Sequence, residues 1–418
     1  MKKAKPFAIS KQAVWEAWKR VKANQGAPGI DDETIAEFEG NLADNLYRLW
    51  NRLSSGSYFP PPVKVVEIPK KNGGQRRLGI PTVSDRLAQM VVKLALEPIL
   101  EPHFHTDSYG YRPGKSALEA VGITRERCWR YDWLVEFDIR AAFDSIAHSL
   151  LLKALRKHTD CKWILLYIER WLTVPFQHSD GRVEQRPAGL PQGGVLSPLL
   201  MNLFLHYTLD RWLQTHYPHQ PVARYADDAV VHCRTEREAQ QLQTALAARL
   251  AACKLTLHPE KTRVVYCRDS HRTERSQHER FEFLGYHFQP RTARNRRGEL
   301  FLSFSPAMSK TALKKIRQEI RYHWHLQRRV DKSLDDLARM FNPVIRGWYT
   351  YYGAYHRSAR SRLTESLNSA LVKWVMHKDT RFKGHQGRAK AWLAALANRE
   401  PGLFAHWALG KAFTAAGR

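Results

Sequence analysis

The sequence predicts an α+β domain up to about residue 290, followed by an all-α domain. Strand-like alternation of apolar and polar residues is mixed with helical spacing in the first part, whereas helical spacing continues alone beyond Pro306. Positive charge also separates the two parts. The net charge of the 418 residues is +27, and residues 291–418, with 26 Lys and Arg against 8 Asp and Glu, contribute +18 of it.

The first hundred residues combine helices with a basic hairpin. Apolar residues at helical spacing predict helices over 10–23, 34–53 and 84–100. Two alternating segments predict the strands of a hairpin over 63–80, and the Asn- and Gly-containing segment 70–74 between them predicts its turn.

The middle of the chain predicts strands with carboxylates at their ends. A strand over 133–137 ends at Asp138, and strands over 222–225 and 229–233 flank the turn that contains Asp227 and Asp228. The other expected elements are helices at 147–157, 161–171, 199–213 and 235–253, a helix that begins at Ser116, and strands at 255–257, 262–266 and 281–288.

Asp138, Asp227 and Asp228 are the candidate catalytic residues. Each is ordinary alone, because Asp is a preferred turn residue. If the three strand ends meet at one edge of a sheet, however, the carboxylates stay ionised there only beside cations. Two Mg²⁺ ions held by carboxylates suit phosphoryl transfer, since one activates the attacking hydroxyl and the other stabilises the leaving pyrophosphate. The pattern therefore indicates a metal-dependent phosphoryl-transfer site.

The strong positive charge indicates an anionic partner. Thirteen Trp and sixteen Tyr are interleaved with the basic residues, and aromatic rings can stack on bases. A solvated face or an anionic membrane surface would also account for charge alone. Charge and aromatic content together favour a nucleic acid.

Composition also argues against several classes of protein. The sequence contains no run of about 18 apolar residues and therefore predicts no membrane span. The charged N-terminus lacks the apolar segment of a secretion signal. The five cysteines are odd in number and form no Cys-x-x-Cys pair, which disfavours disulfides and cysteine zinc sites and fits a reducing cytoplasm.

Several motifs together resemble those of reverse transcriptases. Tyr225-Ala226-Asp227-Asp228 is similar to the family signature, Phe137-Asp138-Ile139 to its first carboxylate motif, and residues 190–198 to the motif that precedes the signature. Further motifs, at 26–31, 77–81, 108–114 and 283–286, are similar to those of the group II intron branch or to the segment that supports the primer end. All of them occur in family order, so the chain resembles a bacterial group II intron-encoded reverse transcriptase and maturase.

The resemblance implies roles for individual residues at the active site. Asp138, Asp227, Asp228 and the carbonyl of Ile139 would hold two Mg²⁺ ions, with Mn²⁺ as a substitute. The residues expected to bind the incoming nucleotide are Lys70, Arg76, Phe143 and Gln192, and those expected to support primer and template are Tyr225, Ala226, Leu284 and Gly285. Two alternatives are open: the hairpin cations are simply solvated, and Phe143 packs in the core.

The last third of the chain resembles the thumb and maturase region of intron-encoded proteins, with the best match at residues 341–352. The residues that this resemblance assigns to RNA binding are Arg346, Trp348, Tyr351, Arg357 and Arg360. The aromatic residues in this segment have a second reading, because Ile345, Trp348 and Tyr352 are at helical spacing and suit a core.

The resemblance also implies a right-hand polymerase fold, in which fingers and a palm with an antiparallel sheet precede an all-α thumb and maturase domain. The expected divisions are 1–50 as an N-terminal extension of the fingers, 51–290 as fingers and palm, 300–400 as thumb and maturase domain, and 401–418 as a C-terminal tail.

The expected function is RNA-directed DNA synthesis for a group II intron, with binding of the intron RNA to assist splicing and mobility by target-primed reverse transcription. The expected partners are the intron RNA, an RNA template with a DNA primer, and deoxynucleoside triphosphates, with no membrane. The expected location is the bacterial cytoplasm, or the nucleoid on target DNA. Monomer and homodimer stay open.

Two rival functions are considered. The chain would be a splicing-only RNA chaperone with a vestigial polymerase site, or a free-standing reverse transcriptase of a defence system. The intact carboxylates and Gln192 argue against the first, and the maturase-like tail argues against the second. No histidine- and cysteine-containing endonuclease segment or ribonuclease H-like segment is expected, so priming would depend on a nick or a replication fork.

Overall fold

The structure is a computed structural model that describes residues 5–69 and 75–409, apart from the side chains of residues 357–359. The predicted hairpin turn with Lys70, and the side chain of Arg357, lie outside the described residues. None of the described helices is both long enough and apolar enough to cross a membrane.

The chain divides into two compact units. Unit 1 comprises Met1–Ala120 and Val135–Val264, and unit 2 comprises Val121–Leu134 and Val265–Arg418. The second unit therefore takes one short segment from the middle of the sequence, which the sequence does not predict.

The described α-helices occur in both units. They are α1 (Lys11–Asn24), α2 (Ile35–Gly40), α3 (Leu42–Ser55), α4 (Val83–Leu100), α5 (Ala117–Cys128), α6 (Ala142–Ser145), α7 (His148–Leu155), α8 (Lys162–Thr173), α9 (Ser197–Leu205), α10 (Arg211–His216), α11 (Glu236–Ala252), α12 (Lys310–Tyr322), α13 (Leu334–Tyr352), α14 (Arg357–Lys378), α15 (Gln386–Arg399) and α16 (Ala405–Leu409). A π-helical turn, His206–Asp210, joins α9 to α10, and short 3₁₀ turns include Pro259–Lys261 and Leu326–Arg328.

The described strands form three sheets. They are β1 (Val63–Pro69), β2 (Gln75–Ile80), β3 (Trp133–Asp138), β4 (Phe176–Gln177), β5 (Val183–Glu184), β6 (Val222–Tyr225), β7 (Asp228–Cys233), β8 (Arg263–Tyr266), β9 (Phe281–Phe283), β10 (Tyr286–Arg294) and β11 (Leu300–Met308). The strand orders are β2-β1-β4-β5, β6-β7-β3-β8 and β11-β10-β9.

The predicted basic hairpin is confirmed where the structure describes it. Strand β1 pairs antiparallel with β2, and Lys64 lies opposite Ile80. The same strand also pairs in parallel with β4, so this sheet is mixed rather than purely antiparallel. The two-residue strands β4 and β5 are too short to leave a periodic signal, and the sequence does not predict them.

The helix starts follow local capping chemistry. Ser10 accepts a hydrogen bond from the Ala13 amide at 3.0 Å, which fixes the start of α1 close to the predicted position. The single helix predicted over 34–53 is wrong, because the chain breaks at Asn41 and forms α2 and α3. Thr34 and Glu37 form a capping box at the start of α2, a signal present in the sequence.

The sequence predicts that the chain is entirely helical after about residue 290, and this prediction is wrong for the residues up to Met308. Strands β10 and β11 form a nine-residue antiparallel hairpin, from Tyr286 opposite Met308 to Arg294 opposite Leu300. Uninterrupted helical structure begins only with α12, whose N-cap is Ser309. The predicted strand 281–288 is interrupted at Leu284 and Gly285, both of which have positive φ.

Each unit has its own hydrophobic core. In unit 1 the buried residues come from α1, α4, α7, α8 and α9, and include Trp18, Leu87 and Leu203. In unit 2 they come mainly from α12 to α16, and include Leu337, Leu363 and Leu393. The sheets and the loop that carry the candidate site residues pack against the core of unit 1.

Candidate metal-binding active site

The three predicted catalytic aspartates belong to unit 1 and lie at the ends of neighbouring strands of one sheet or in the turn beside them. Asp138 is the last residue of β3, and Asp228 is the first residue of the neighbouring strand β7. Tyr225 pairs with Asp228 across the β6–β7 hairpin, which leaves Ala226 and Asp227 at its tip. The sheet therefore brings Asp138 close to Asp227 and Asp228, although Asp227 follows Asp138 by 89 residues in the sequence.

The three aspartates are close enough for their charges to act on one another. Burial raises the pKa of Asp227, and the like charge of Asp138 raises it further. The pKa of Asp228 is raised to about 7, first by the protein atoms crowded around the carboxylate and then by the charges of Asp227 and Asp138. Because Asp228 is exposed on its outer side, water offsets part of the burial effect, whereas the like-charge repulsion follows directly from the geometry.

Lys261 is a member of this site that the sequence analysis missed. Its Nζ lies 2.5 Å from Oδ2 of Asp138, and its charge also acts on Asp227 and Asp228. The hydrogen bond to Asp138 raises the pKa of Lys261. The lysine is carried by the 3₁₀ turn Pro259–Lys261, and its ammonium neutralises part of the negative charge of the three carboxylates.

A backbone contact explains how Lys261 reaches Asp138. The His258 amide donates a hydrogen bond to the Asp138 carbonyl at 2.8 Å, and Ile139 forms an antiparallel bridge with Leu257. These contacts hold the segment before the 3₁₀ turn against the end of β3. No sequence motif predicts these contacts, because the residues that form them are more than a hundred positions apart.

Two of the predicted nucleotide-binding residues contact each other. Nε of Arg76 donates to Oε1 of Gln192 at 2.7 Å, and the charge of Arg76 acts on Asp227. The Gly79 amide also donates to the Gln192 carbonyl at 2.7 Å. Strand β2 and the loop that contains Gln192 are thus joined beside the hairpin tip, with a guanidinium that lies close enough to influence the aspartates.

The loop that carries Gln192 requires glycine at Gly193. This residue has a φ of +117°, and a Cβ added to it would lie 2.5 Å from the Gly79 carbonyl oxygen. The close approach allows β2 and the loop to touch. A larger residue at position 193 would clash with the Gly79 backbone and force β2 or the loop to shift.

A buried polar network holds the other end of this loop. Oε1 of Gln89 accepts a hydrogen bond from the Leu196 amide at 3.2 Å, and its Nε2 donates to Asp85 at 2.9 Å. Asp85 also accepts from the Tyr58 hydroxyl at 2.8 Å and from Nε1 of Trp171 at 2.7 Å. Helix α4 therefore fixes the loop through side chains that are almost completely buried.

A fully buried ion pair supports the hairpin tip. Arg224, in β6, donates to both carboxylate oxygens of Asp210 at 2.8 and 2.6 Å, and neither side chain is exposed. The same guanidinium donates to the Ala226 carbonyl at 3.0 Å and to Oδ1 of Asn202 at 3.1 Å. Asp210 ends the π-helical turn His206–Asp210, a kind of irregular turn that is frequent near functional sites.

The hairpin tip itself is strained. Ala226 has a φ of +57°, which a residue with a side chain rarely adopts. Gly110 lies against it, and a Cβ at Gly110 would be 2.4 Å from the Ala226 amide nitrogen. The Arg224 hydrogen bond to the Ala226 carbonyl therefore stabilises a conformation on which the direction of Asp227 depends.

Three further aromatic residues lie in unit 1 near these groups. Tyr111, which is 51% exposed, has a φ of +60° and lies with its ring centroid 6.5 Å from that of Tyr225. Burial raises the pKa of Tyr111, and the charge of Asp227 adds to the shift. Phe143 is buried in the hydrophobic core, as the alternative interpretation expects, and its carbonyl accepts from the Leu190 amide at 2.7 Å.

The remaining predicted site residues lie in unit 2. The Leu284 carbonyl accepts from the Tyr351 hydroxyl at 2.8 Å, and the Gly285 carbonyl accepts from the Ser309 amide at 2.9 Å. Trp348 stacks on Trp324 with a centroid separation of 5.3 Å. Ile345 is buried in the core of unit 2, and Trp348 and Tyr352 pack against it, as the core interpretation of their helical spacing expects.

The predicted RNA-binding arginines differ in their surroundings. Arg346 is exposed on α13, whereas Arg360 is partly buried and donates to the Gly353 carbonyl at 3.4 Å. Arg346 is thus the residue of this predicted set whose side chain is free to reach a phosphate, among those that the structure describes.

The donor set of the aspartate cluster fits a hard divalent cation. In the described residues no group of three His, Cys, Asp or Glu side chains has the spacing of a formed metal site. The three carboxylates nevertheless offer oxygen donors alone. Burial, followed by the repulsion between the carboxylates, raises the pKa of Asp227 and Asp228, and Lys261 compensates only part of the negative charge. Oxygen donors with an excess of negative charge suit Mg²⁺ or Mn²⁺ rather than a softer metal.

Comparison with known families gives two matches that follow one another along the chain. Residues 68–288 match the family described as reverse transcriptase (RNA-dependent DNA polymerase). Residues 313–392 match the maturase-specific domain of group II introns. The first match contains every residue of the aspartate cluster together with Lys261, Arg76 and Gln192.

The chain is also similar in sequence to individual proteins. Protein YkfC of Escherichia coli is 32% identical over 327 residues, which cover 68% of this chain and 82% of that protein. The group II intron-encoded protein LtrA of Lactococcus lactis is 35% identical over 219 residues, or 50% of this chain and 34% of LtrA. A putative COX1/OXI3 intron 1 protein of Saccharomyces cerevisiae is 30% identical over 200 residues, 47% of this chain and 24% of that protein.

Proposed function

The chain belongs to the reverse transcriptase family and carries a group II intron maturase-specific domain, and from this premise we propose that it copies RNA into DNA at the aspartate cluster. The observation that carries the proposal is the convergence of Asp138, Asp227 and Asp228 on one sheet edge beside the Arg76–Gln192 pair. The reaction is the transfer of a nucleotidyl group from a deoxynucleoside triphosphate to the 3′-hydroxyl of a primer.

The aspartates are the proposed ligands of two divalent ions, with the carbonyl of Ile139 as a further donor. Bound there, the ions supply a lowered pKa for the primer hydroxyl and charge compensation for the leaving pyrophosphate. The protein residues orient the reactants. Arg76 directs a guanidinium toward the triphosphate, and Gln192, held by Arg76 and Gly79, is placed to contact the sugar or base of the nucleotide.

The proposed fold assignments follow the family. Strands β1 and β2 belong to the fingers, the β6-β7-β3-β8 sheet belongs to the palm, and helices α12 to α15 belong to the thumb and maturase domain. Tyr225 and Ala226, at the hairpin tip, and Leu284 and Gly285, between β9 and β10, are proposed to support the primer and template.

Primer extension tests the polymerase activity. With an RNA template, a DNA primer and Mg²⁺, the wild-type chain should extend the primer, and Asp227→Asn should reduce the rate on the order of a thousandfold because a metal ligand is lost. Asp44→Asn, an exposed residue of α3, is the matched control and should extend normally. Robust extension by Asp227→Asn would overturn the assignment.

A second function, maturase activity, is favoured by the match over residues 313–392 and by the net charge of +18 over residues 291–418. We propose that unit 2 binds the RNA of a group II intron and assists its splicing and mobility. Splicing of the cognate intron at low Mg²⁺ should depend on the protein, and should persist in Asp227→Asn. That result would separate splicing from primer extension. If the wild-type protein promotes splicing but never extends a primer, the splicing-only alternative is favoured.

A genomic observation separates the intron-encoded protein from a free-standing reverse transcriptase. An intron-encoded chain should lie within a folded ribozyme sequence. A reading frame without such flanking RNA would favour the free-standing alternative.

A further inference from the structure

A cavity of about 740 Å³ lies within unit 2, between α12, α14 and the 3₁₀ turn Leu326–Arg328. Its volume is typical of the sites that hold single small molecules or nucleotides. None of the residues assigned to RNA binding by the sequence analysis lines it.

Four cations converge on this cavity. They are Arg317 and Arg321 of α12, Arg328 of the 3₁₀ turn and Lys373 of α14, and the lining contains a single carboxylate, Glu365. Among the described residues none of the four forms an ion pair; Nε of Arg317 donates to the Ser366 hydroxyl at 3.1 Å, a neutral partner. Elsewhere in the same unit, exposed arginines such as Arg339 and Arg381 are paired with carboxylates.

An aromatic ring stands at the wall of the cavity. Tyr322, the last residue of α12, lines it and is 54% exposed, so its ring is accessible to a stacking partner. The Arg321 guanidinium lies 5.2 Å from the centroid of this ring. Ile320 and Leu326 are buried and provide an apolar floor.

We propose that this cavity binds an unpaired nucleotide of an RNA strand, with the base against Tyr322 and the flanking phosphates on Arg317, Arg328 and Lys373. The proposal rests on the proposed binding of intron RNA by unit 2 and adds what kind of RNA feature is recognised. Unpaired bases are recognised by stacking on aromatic and guanidinium planes, and phosphates by converging cations.

The shape of the cavity distinguishes an unpaired nucleotide from a duplex. A duplex presents a convex row of phosphates with its bases enclosed, and such a surface is best met by an open basic face rather than by a concave site. A base that is extruded from a bulge or loop can enter a cavity of this volume and reach the exposed ring. The apolar floor would then contact the base, and Arg317, Arg328 and Lys373 would gain anionic partners.

The test uses the full-length protein and two RNA hairpins that differ by one nucleotide. One hairpin carries a single bulged 2-aminopurine, and the other is fully paired with 2-aminopurine in its stem. The wild type should bind the bulged hairpin on the order of tenfold more tightly and quench its fluorescence through stacking. Tyr322→Leu should lose most of this preference, whereas Tyr322→Phe, which keeps the ring, should retain it.

Charge variants provide the matched control. Arg317→Gln combined with Lys373→Gln should weaken binding of the bulged hairpin more than binding of the paired one. Arg388→Gln combined with Lys390→Gln removes the same charge from exposed positions of α15 and should weaken both hairpins equally. Thermal melts establish that each variant is folded.

The proposal is overturned if the wild type binds both hairpins equally, or if the cavity and control variants lose the same affinity for both, since the cations would then act as an ordinary charged surface. Primer extension and intron splicing on the same preparations test the proposed function separately. A preference for the bulged hairpin in a protein without either activity would leave the cavity assignment standing and remove the proposed function.

Discussion

Lys261 contacts Asp138 at the position where a divalent cation would share the same carboxylate oxygen. Burial and like-charge repulsion raise the pKa of Asp227 and Asp228, and the Lys261 ammonium offsets part of that rise. The lysine side chain is 56% exposed, so it can move away when a cation binds. If the proposed metal site is correct, we expect lysine and metal to compete for Asp138.

Lys261→Gln should tighten the binding of divalent cations. Removal of the ammonium eliminates both the competition for Asp138 and the repulsion of an approaching cation, so the Kd of Mn²⁺ should fall several-fold at low ionic strength. Electron paramagnetic resonance of free Mn²⁺ measures this directly in the absence of nucleic acid. Lys153→Gln, at an exposed position of α7, should leave the Kd unchanged; weaker binding by Lys261→Gln would contradict the competition.

At the residue scale, the sequence predicts the aspartates but not the groups that surround them. Asp138, Asp227 and Asp228 are recognisable because each follows a strand or occupies a turn and because the neighbouring motifs occur in order. Lys261 and Asp210 have no comparable signal, since their roles depend on tertiary contacts: Lys261 pairs with Asp138, 123 positions away, and Asp210 pairs with Arg224 on another element. The opposite case is Phe143, which the motif identifies, although its motif position does not distinguish core packing from contact with the nucleotide.

Among the elements, the β6–β7 hairpin combines a strained tip with a buried ion pair. The Arg224–Asp210 pair is fully buried, and loss of one partner leaves an unpaired charge in the core. Such a loss costs about 3–5 kcal/mol of folding free energy, whereas joint replacement of both partners by apolar residues is often close to neutral. The pair therefore allows stability and positioning to be separated experimentally.

Asp210→Leu alone should lower the melting temperature sharply, and the double variant Arg224→Met with Asp210→Leu should recover most of that loss. The double variant should still extend primers at least about tenfold more slowly, because the Ala226 carbonyl loses its donor and Asp227 its fixed direction. Thermal melts and single-turnover extension measure the two effects. A double variant that folds and extends like the wild type would refute the positioning role.

Helix α16 introduces a pH dependence into unit 2. His406 is fully buried, and one ring nitrogen shares a hydrogen bond with Oδ1 of Asn368 at 2.9 Å. Burial lowers the pKa of His406 to about 3. In the unfolded chain an ordinary histidine takes up a proton near pH 6.5. The folded state therefore loses stability relative to the unfolded state as the pH falls from about 6.5 toward 3.

The free energy of unfolding should consequently fall with pH by up to about 1.4 kcal/mol per unit from this residue below pH 6.5. His406→Gln should reduce that slope between pH 7.5 and pH 5.5, even if it lowers stability at every pH. His377→Gln, an exposed histidine of α14, should leave the slope as in the wild type. Chemical denaturation across this range measures the slopes, and equal slopes for all three proteins would contradict the assignment.

At the element scale, the predictions succeed where a local signal sets the structure. The N-cap at Ser10 and the alternating strands of the β1–β2 hairpin are local features, and the structure confirms both. The β10–β11 hairpin is missed because Pro290 and Pro306 lie within its strands and obscure the alternation. The break at Asn41 is missed because the apolar spacing continues through it.

For the whole molecule, the distribution of charge is the strongest feature that the sequence reveals. The excess of basic residues in the last third agrees with the maturase-specific match, and its location is independent of any fold prediction. The division into two units is less predictable, because unit 2 incorporates Val121–Leu134 from the middle of the sequence. Only tertiary packing determines that assignment.

RNA binding should be strongly salt-dependent if the basic residues contact phosphates. Between 50 and 200 mM salt, the affinity for a structured RNA should fall on the order of a thousandfold, as expected for six or more phosphate contacts. Filter binding across this range provides the slope of log affinity against log salt. A fall of less than about tenfold would show that the charge is a solvated surface rather than a phosphate-binding one.

The central proposal is that Asp138, Asp227 and Asp228 together bind two divalent metal ions. The most direct measurement is the number of Mn²⁺ ions bound per chain, by electron paramagnetic resonance, in a complex with primer, RNA template and a non-hydrolysable nucleotide. Two ions per wild-type chain are predicted, with loss of both at micromolar Mn²⁺ in Asp138→Asn and Asp227→Asn. Unchanged binding in these variants, or no bound Mn²⁺ in the wild type, would contradict the account.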